Sequence, residues 1–175
     1  EFRQGYIGPA IRQYGNMLRV GDCPGDYQKN RSGIARLRLT SGGTAVHADM
    51  LEWHPSDTPE AAALNVLSCM FGTVQYSMKF AGLDAKHVEM IGHWSRFGAA
   101  HVGALQRGKF RAYHPELNYP LLEGEDAKER IFGVYAAEIA VKTGPLDRTV
   151  YILNATEADS LMVDLGGAAT VVARD

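Results

Sequence analysis

Two stretches of similar design decide the fold, Arg19-Val20-Gly21-Asp22-Cys23-Pro24-Gly25-Asp26 and His47-Ala48-Asp49-Met50-Leu51-Glu52-Trp53-His54-Pro55. In each stretch a short apolar run typical of a strand ends in polar or charged residues, and a segment with helical character follows. In parallel β/α proteins the carboxyl ends of the strands and the first turns of the following helices form the ligand site. The two stretches therefore predict neighbouring strand ends whose carboxylates belong to one site.

The elements around these stretches follow from hydrophobic periodicity and capping signals. Thr58-Pro59 and Asp84 are typical helix starts, and residues 27–41 form a mixed amphipathic segment. Apolar or alternating runs predict strands over residues 17–22, 44–51 and 74–80. The resulting order β-α-β-α-β-α predicts an α/β fold with a parallel sheet or barrel.

The pattern of apolar and turn residues changes after Gly108. Short runs rich in Val, Ile and Tyr, separated by turn residues, predict an antiparallel β domain. These runs cover residues 131–142, 148–155, 160–165 and 169–174. The Pro-, Gly- and acid-containing stretch over residues 115–126 has little periodicity and is predicted to connect the two parts. We therefore expect two domains, residues 1–112 and 113–175.

The composition excludes several functional classes. The chain has 175 residues, of which 46% are hydrophobic and 22% charged, as is usual for a soluble globular protein. The formal net charge is −2 and basic residues are scattered, so neither nucleic acid nor an anionic membrane surface is an expected partner. No apolar run approaches the roughly 18–20 residues that span a bilayer.

The two cysteines, Cys23 and Cys69, form no disulfide framework and no Cys-x-x-Cys metal pattern. Cys69 lies in an apolar run and is predicted to be a buried, inert thiol, whereas Cys23 follows Asp22 and is predicted to line the pocket. Free cysteines favour a reducing compartment, so we expect a cytoplasmic location. The first residue, Glu1, already belongs to a pattern and no leader segment can be read, which indicates a piece of a longer polypeptide.

An ordered set of motifs carries a resemblance to a known family. The set comprises Glu1-Phe2-Arg3-Gln4, Gly8-Pro9, the stretch from Arg19 to Asp26, Asn30-Arg31, Val46-His47-Ala48-Asp49-Met50-Leu51 and Trp53-His54-Pro55. Over about residues 1–122 the chain resembles the α-galactosidases of glycoside hydrolase family 36. The resemblance implies the C-terminal portion of a (β/α)8 TIM-type barrel followed by part of an antiparallel β-sandwich. It also implies retaining hydrolysis of terminal α-galactosides, with no cofactor and no catalytic metal.

Asp22 is the candidate catalytic residue. A carboxylate at a strand end beside Arg19 is suited to general acid/base work, and the resemblance places Asp22 at the position of the acid/base residue. The alternative is a turn or helix-capping aspartate, which is common before Pro-Gly. Asp26 competes for the catalytic role, although its position at the first turn of the next helix favours capping.

The resemblance also suggests substrate contacts. Arg19 and Asp49 correspond to residues that approach the sugar, and a structural salt bridge is the alternative for Arg19. His47 lies two residues before Asp49 on the predicted strand, so both fall on one face. With His54 this pair resembles a metal cluster, but metal sites need three or four ligands and only two are placed together here. The resemblance of Asp49-Met50-Leu51 to a strand-end motif of the family instead favours contact of Asp49, and of His47 beside it, with sugar hydroxyls.

Two further contacts are less specific. Trp53 offers a flat apolar face for a sugar ring, with simple burial as the equal alternative. Glu1 opens the chain where the family carries a sugar-contacting acid, but Arg3-Gln4-Gly5-Tyr6-Ile7-Gly8-Pro9 replaces the Cys-Ser-Gly-Gly-Gly-Arg type motif usual there. Contacts from this strand therefore differ from the family pattern.

The catalytic pair is incomplete within this chain. Retaining glycosidases use two carboxylates, and the family's nucleophile lies in a Lys-x-Asp strand-end motif that does not precede Glu1. We expect the isolated chain to be inactive and its partners to be an α-galactoside oligosaccharide and the remainder of the barrel, with homo-oligomer formation left open. The rival hypothesis is a non-catalytic carbohydrate-binding or structural module. The residues do not specify the linkage, the leaving sugar, or galactose over N-acetylgalactosamine.

Overall fold

The computed structural model describes residues 8–23, 25–167 and 170–172, in which helices and several small sheets form a mixed α/β architecture. The helices are α1 (Pro9–Arg12), α2 (Tyr27–Arg38), α3 (Pro59–Ser68) and α4 (Ala85–Ala100), followed by a π-helical turn (Gly103–Arg107) and a 3₁₀ turn (Pro115–Leu117). The strands are β1 (Met17–Arg19), β2 (Ala45–His47), β3 (Met50–Leu51), β4 (Gln75–Tyr76), β5 (Lys109–Tyr113), β6 (Leu121–Glu125), β7 (Glu129–Val134), β8 (Val141–Lys142), β9 (Thr149–Asn154) and β10 (Val163–Asp164).

Side-chain caps set the starts of the three longer α-helices. The side chains of Asp26, Thr58 and Asp84 each accept a hydrogen bond from the backbone N–H three residues later, at 2.9, 3.2 and 3.0 Å. Such a bond satisfies one of the unpaired donors at a helix start. The predicted helix starts at Thr58 and Asp84 are confirmed, and capping is the observed role of Asp26.

The parallel pairing expected near the two decisive stretches is present but short. Strand β1 pairs with β2, which places Arg19 opposite His47, and β3 pairs with β4. The predicted single strand over residues 44–51 is observed as two strands, β2 and β3, separated by Ala48 and Asp49. At this break the Asp49 carboxylate accepts the Met50 N–H at 2.8 Å. The break turns the chain from one parallel pair to the next.

The second half of the chain contains a four-stranded sheet in the order β5-β6-β7-β9. Its pairs are antiparallel except β7 and β9, which are parallel. Apolar residues of one face pack toward the helices, whereas those of the other face pack with Val141 of β8, which pairs with β10. The prediction of a connector over residues 115–126 is wrong for its second half, because β6 lies there and pairs on both sides.

The predicted architecture, the C-terminal portion of a (β/α)8 TIM-type barrel followed by part of an antiparallel β-sandwich, is wrong. Within residues 8–23, 25–167 and 170–172 there is no closed barrel, and strands and helices do not alternate as in a TIM barrel. Strands β1 to β4 are two or three residues long and form two separate pairs. The larger sheet packs one face against helices and contains a parallel pair, unlike a purely antiparallel sandwich sheet.

One hydrophobic cluster joins the two halves of the chain. It contains Leu18, Ile34 and Phe71 from the first half together with Leu122 and Ile131 from the sheet. The predicted boundary between residues 112 and 113 therefore crosses a shared core, and the division into two domains stays a prediction. Among the described residues, no helix has the length and apolar character needed to cross a membrane.

Candidate functional site

Two carboxylates share one guanidinium where β1 ends and where β2 gives way to β3. Arg19 Nη2 donates to Asp22 Oδ1 at 2.9 Å and also to Asp49 Oδ1. Because one nitrogen reaches both, the two oxygens lie within about 6 Å of each other, twice an ordinary hydrogen-bond length. The side chains of Asp49 and Arg19 are 5% and 13% exposed, whereas that of Asp22 is 52% exposed. The cluster therefore buries one carboxylate and presents the other to solvent.

Asp49 is held by contacts within the chain. Its Oδ1 accepts from Arg19 and from the Met50 N–H, and its Oδ2 accepts the Cys23 N–H at 2.8 Å. Charge-assisted bonds of this kind are among the stronger ones in proteins. The observed contacts of Asp49 fix Arg19 and the loop after β1, and contact of Asp49 with a sugar hydroxyl stays a prediction.

Cys23 anchors the same loop to α2. Its Sγ donates to Asn30 Oδ1 at 3.1 Å, and Asn30 is fully buried in α2. Burial, followed by the nearby charges of Asp49 and Asp26, raises the pKa of the Cys23 thiol. A protonated thiol is a weak nucleophile, so Cys23 acts as a hydrogen-bonding anchor beside the cluster.

The other residues predicted on these strands are placed differently. His47 is buried in β2 opposite Arg19, so it packs behind the cluster. Glu1 lies outside the described residues, as does Pro24 of the predicted turn. Within the described ranges, no group of three or more His, Cys, Asp or Glu side chains could hold a metal ion.

Trp53 is packed from two sides. Its ring stacks on His87 of α4, with centroids 6.1 Å apart and an interplanar angle of 18°, and meets Tyr76 edge-on at 6.3 Å. The Asp84 carboxylate fixes the His87 ring through Nδ1 at 2.8 Å. Trp53 Nε1 and His87 Nε2 are both buried and make no hydrogen bond to the described part of the chain. The indole is thus oriented by ring contacts.

A depression of about 450 Å³ lies beside the loop after β1. Its lining includes Gly25, Tyr27, Glu52, Trp53, His54 and Asp57. The loops after β1 and β3 touch here, since a Cβ on Gly25 would lie 3.8 Å from the Glu52 carbonyl oxygen. Gly25 lies three residues after Asp22, and Glu52 lies three residues after Asp49, so the loops that carry the two carboxylates continue into the wall of the depression.

The walls of the depression are fixed by hydrogen bonds. Tyr27 Oη donates to the Ala61 carbonyl at 3.2 Å, and Asn65 Nδ2 donates to the Glu52 carbonyl at 3.2 Å. The His54 N–H donates to the Asp57 carboxylate at 3.0 Å. These bonds join the first turn of α2, the loop after β3 and helix α3, so the depression is preformed.

Sequence reasoning missed several residues of this region. Tyr27 follows the cap Asp26 within a mixed amphipathic segment that predicts no role for it, and the motif around Trp53 predicts none for Glu52. The position of Glu52, a polar residue directly before Trp53 in a strand-end motif, is a pattern that could have indicated its place in the site. The Asp84–His87 pair had no such signal, because its contact with Trp53 joins positions more than thirty residues apart.

The chain matches no protein-family model, no curated protein and no solved structure. The resemblance to the α-galactosidases therefore stays a prediction from motifs.

Proposed function

We propose that the chain supplies the acid/base half of a retaining glycosidase site for terminal α-galactosides, with Asp22 as the residue that donates and accepts the proton. The single observation that carries this proposal is the exposed Asp22 carboxylate, held by Arg19 against the buried Asp49. A proton-transfer group must be reachable by substrate and also fixed in position. The motif resemblance supplies the substrate class.

The proposed reaction has two steps. In the first, protonated Asp22 gives its proton to the glycosidic oxygen as the bond from that oxygen to the anomeric carbon breaks and a carboxylate nucleophile bonds to the same carbon. In the second, ionised Asp22 takes a proton from water, whose oxygen attacks the anomeric carbon and releases the nucleophile. Arg19 donates to the Asp22 carboxylate at 2.9 Å and so holds it in one position for both steps.

The nucleophile of this reaction is a carboxylate other than Asp49. Retaining enzymes place the two carboxyl groups roughly 5–5.5 Å apart. The separation of Asp22 and Asp49 across Arg19, within about 6 Å, is compatible with this range. However, Asp49 is 5% exposed and both its oxygens accept hydrogen bonds from the chain. A nucleophile must reach the anomeric carbon, so the proposal assigns this role to a carboxylate from another segment of polypeptide.

Substitution of Asp22 tests the proposal in the polypeptide that carries residues 1–175. Asp22→Ala should lower kcat/KM for raffinose, an unactivated α-galactoside, by about 10²–10⁴-fold, the usual contribution of general acid/base catalysis. An aryl α-galactoside with an acidic leaving group needs little protonation and should be much less affected in the first step. Added azide should accelerate turnover and yield α-galactosyl azide, the product with retained configuration.

Asp26→Ala is the matched control. It removes a carboxylate four residues away and should lower the free energy of unfolding by about 1 kcal/mol through loss of the helix cap, while the ratio of activities on the two substrates stays as in the parent protein. Equal losses on both substrates for Asp22→Ala, without azide product, would contradict the acid/base role. Carbohydrate binding without turnover in the parent polypeptide would favour the rival, a non-catalytic binding module.

A further inference from the structure

In the proposed function, Asp22 protonates the leaving oxygen. The sugar on the leaving side of the bond must then lie next to Asp22. The depression begins at Gly25 and Glu52, in the two loops that also carry Asp22 and Asp49. Its volume of about 450 Å³ falls within the roughly 300–1,000 Å³ typical of small-ligand sites.

The lining of the depression has the chemistry that carbohydrates require. Trp53 and Tyr27 contribute aromatic surface, on which the C–H groups of a sugar ring can pack against the negative face of the π-system. Glu52 and Asp57 also line the depression, and carboxylates accept hydrogen bonds from sugar hydroxyls. Aromatic and acidic residues thus line one preformed cavity.

The orientation of Trp53 differs from that of an ordinary buried tryptophan, because part of its indole lines the depression. His87 stacks on the indole, Tyr76 meets it at nearly a right angle, and Asp84 in turn fixes His87. The part of the indole that lines the depression is the surface that these two rings leave free. Because Trp53 Nε1 is buried, the indole has no N–H to offer a ligand and contributes only apolar surface.

We infer that this depression binds the sugar unit on the leaving side of the scissile bond, with Trp53 as its platform and with Asp84 and His87 as positioning residues. The assignment of the depression to the leaving side of the scissile bond rests on the proposed function. The inference that the depression binds carbohydrate depends only on the residues that line it. The two parts of the inference can therefore be tested separately.

The first test compares substrates that differ only in the leaving group. Raffinose carries sucrose as its leaving group, whereas α-galactosyl fluoride carries fluoride, which cannot occupy the depression. In the polypeptide with residues 1–175, Trp53→Ala should lower kcat/KM for raffinose about tenfold, as for loss of one aromatic contact, and leave the fluoride within about twofold. Trp53→Phe keeps a ring and should retain most of the raffinose activity. Equal losses on both substrates would overturn the inference.

The second test does not depend on turnover. Residues 1–175 contain two tryptophans, so in a protein made of these residues alone Trp94→Phe leaves Trp53 as the only tryptophan. Titration with sucrose should change the emission of the Trp94→Phe protein and leave that of Trp53→Phe unchanged, with thermal unfolding recorded for both variants to verify folding. An unchanged emission of Trp53 would overturn the inference. If the parent polypeptide fails to hydrolyse α-galactosyl fluoride, the proposed function fails, and the sucrose titration alone decides whether the depression binds carbohydrate.

Discussion

Asp22 and Asp26 lie four residues apart and take different partners. The Asp26 carboxylate accepts the Lys29 N–H at 2.9 Å, and chiefly this bond lowers the pKa of Asp26 below its ordinary value. Asp26 is therefore kept ionised at the start of α2, which suits a helix cap and disfavours a proton donor. Asp22 precedes the helix and contacts Arg19. Local position alone thus separates the two candidate carboxylates.

The thiols provide a prediction at the same scale. Burial raises the pKa of Cys23 and raises that of Cys69 to about 12. Because only thiolates react rapidly, both cysteines should react slowly with iodoacetamide at pH 7.5. Cys23, which is partly exposed, should react first as the pH rises, and Cys69 only on unfolding. Mass spectrometry of the alkylated protein would resolve the two sites.

The control for this prediction is the protein in guanidinium chloride, where both thiols regain ordinary pKa values of about 8.5 and should react together. Rapid alkylation of Cys23 in the native protein at pH 7.5 would contradict the protonated state and the anchoring role that we assign to it. It would instead indicate a thiolate beside the Arg19 cluster.

At the scale of elements, the π-helical turn packs directly against the backbone of β6. A Cβ added at Gly124 would lie 2.4 Å from the Ala104 carbonyl oxygen. Real Cβ atoms do not approach backbone oxygens so closely, so the turn and the strand meet only because residue 124 has no side chain. This contact joins the end of the α4 region to the four-stranded sheet.

Gly124→Ala should therefore destabilise the protein. The added methyl group must displace either the strand or the turn, an overpacking that costs about 1–3 kcal/mol. Gly43→Ala is the matched control, because a Cβ there would meet no atom within 4 Å, and its effect should lie within about 0.5 kcal/mol. Urea unfolding followed by circular dichroism measures both. Equal stability of the two variants would contradict the close packing of turn and strand.

At the scale of the whole molecule, a network of charges crosses three strands of the sheet and the start of β9. Arg111 bonds to both Glu123 and Glu125, at 2.5 and 2.7 Å, and Arg148 bonds to Glu125 at 3.0 Å. Arg130 lies 3.4 Å from each glutamate. Charged groups so little exposed are stable only when paired, so these contacts select this strand order over alternatives that would leave Glu123 buried alone.

The network predicts a dependence of stability on pH. The bond from Arg111 is the main cause that lowers the pKa of Glu125. A carboxyl whose pKa is lower in the folded than in the unfolded protein stabilises the fold above its unfolded pKa, about 4.3. This contribution is lost as the pH falls through the folded pKa. The parent protein should therefore lose stability steadily below about pH 5.

Glu125→Gln should isolate this effect. At pH 7 the variant should be less stable by about 1–3 kcal/mol, the value of a hydrogen bond to a charged group, and the difference should shrink as the pH falls below about 4.3. Denaturant unfolding at a series of pH values measures it. Glu89→Gln, an exposed position on α4, is the control and should show no such trend. A difference that is constant with pH would contradict the role of the Arg111 bond.

The sequence by itself determined the local features of this protein. The caps Thr58 and Asp84 were readable because capping needs only a side chain and the N–H groups of the next turn. The proximity of Asp22, Arg19 and Asp49 was readable because paired parallel strands bring their carboxyl ends together. These features depend on neighbours in sequence or on one strand pairing.

Only the tertiary structure decided the architecture. Leu121–Glu125 reads as a connector, since its two glutamates and a glycine interrupt any alternation of apolar and polar residues. It becomes a strand because Arg111 and Arg130 on the neighbouring strands pair with its glutamates, and because Gly124 admits the π-helical turn. The expectation of a barrel failed for the same reason. The pairing of strands is set by contacts between distant residues, and the period of a local sequence does not encode them.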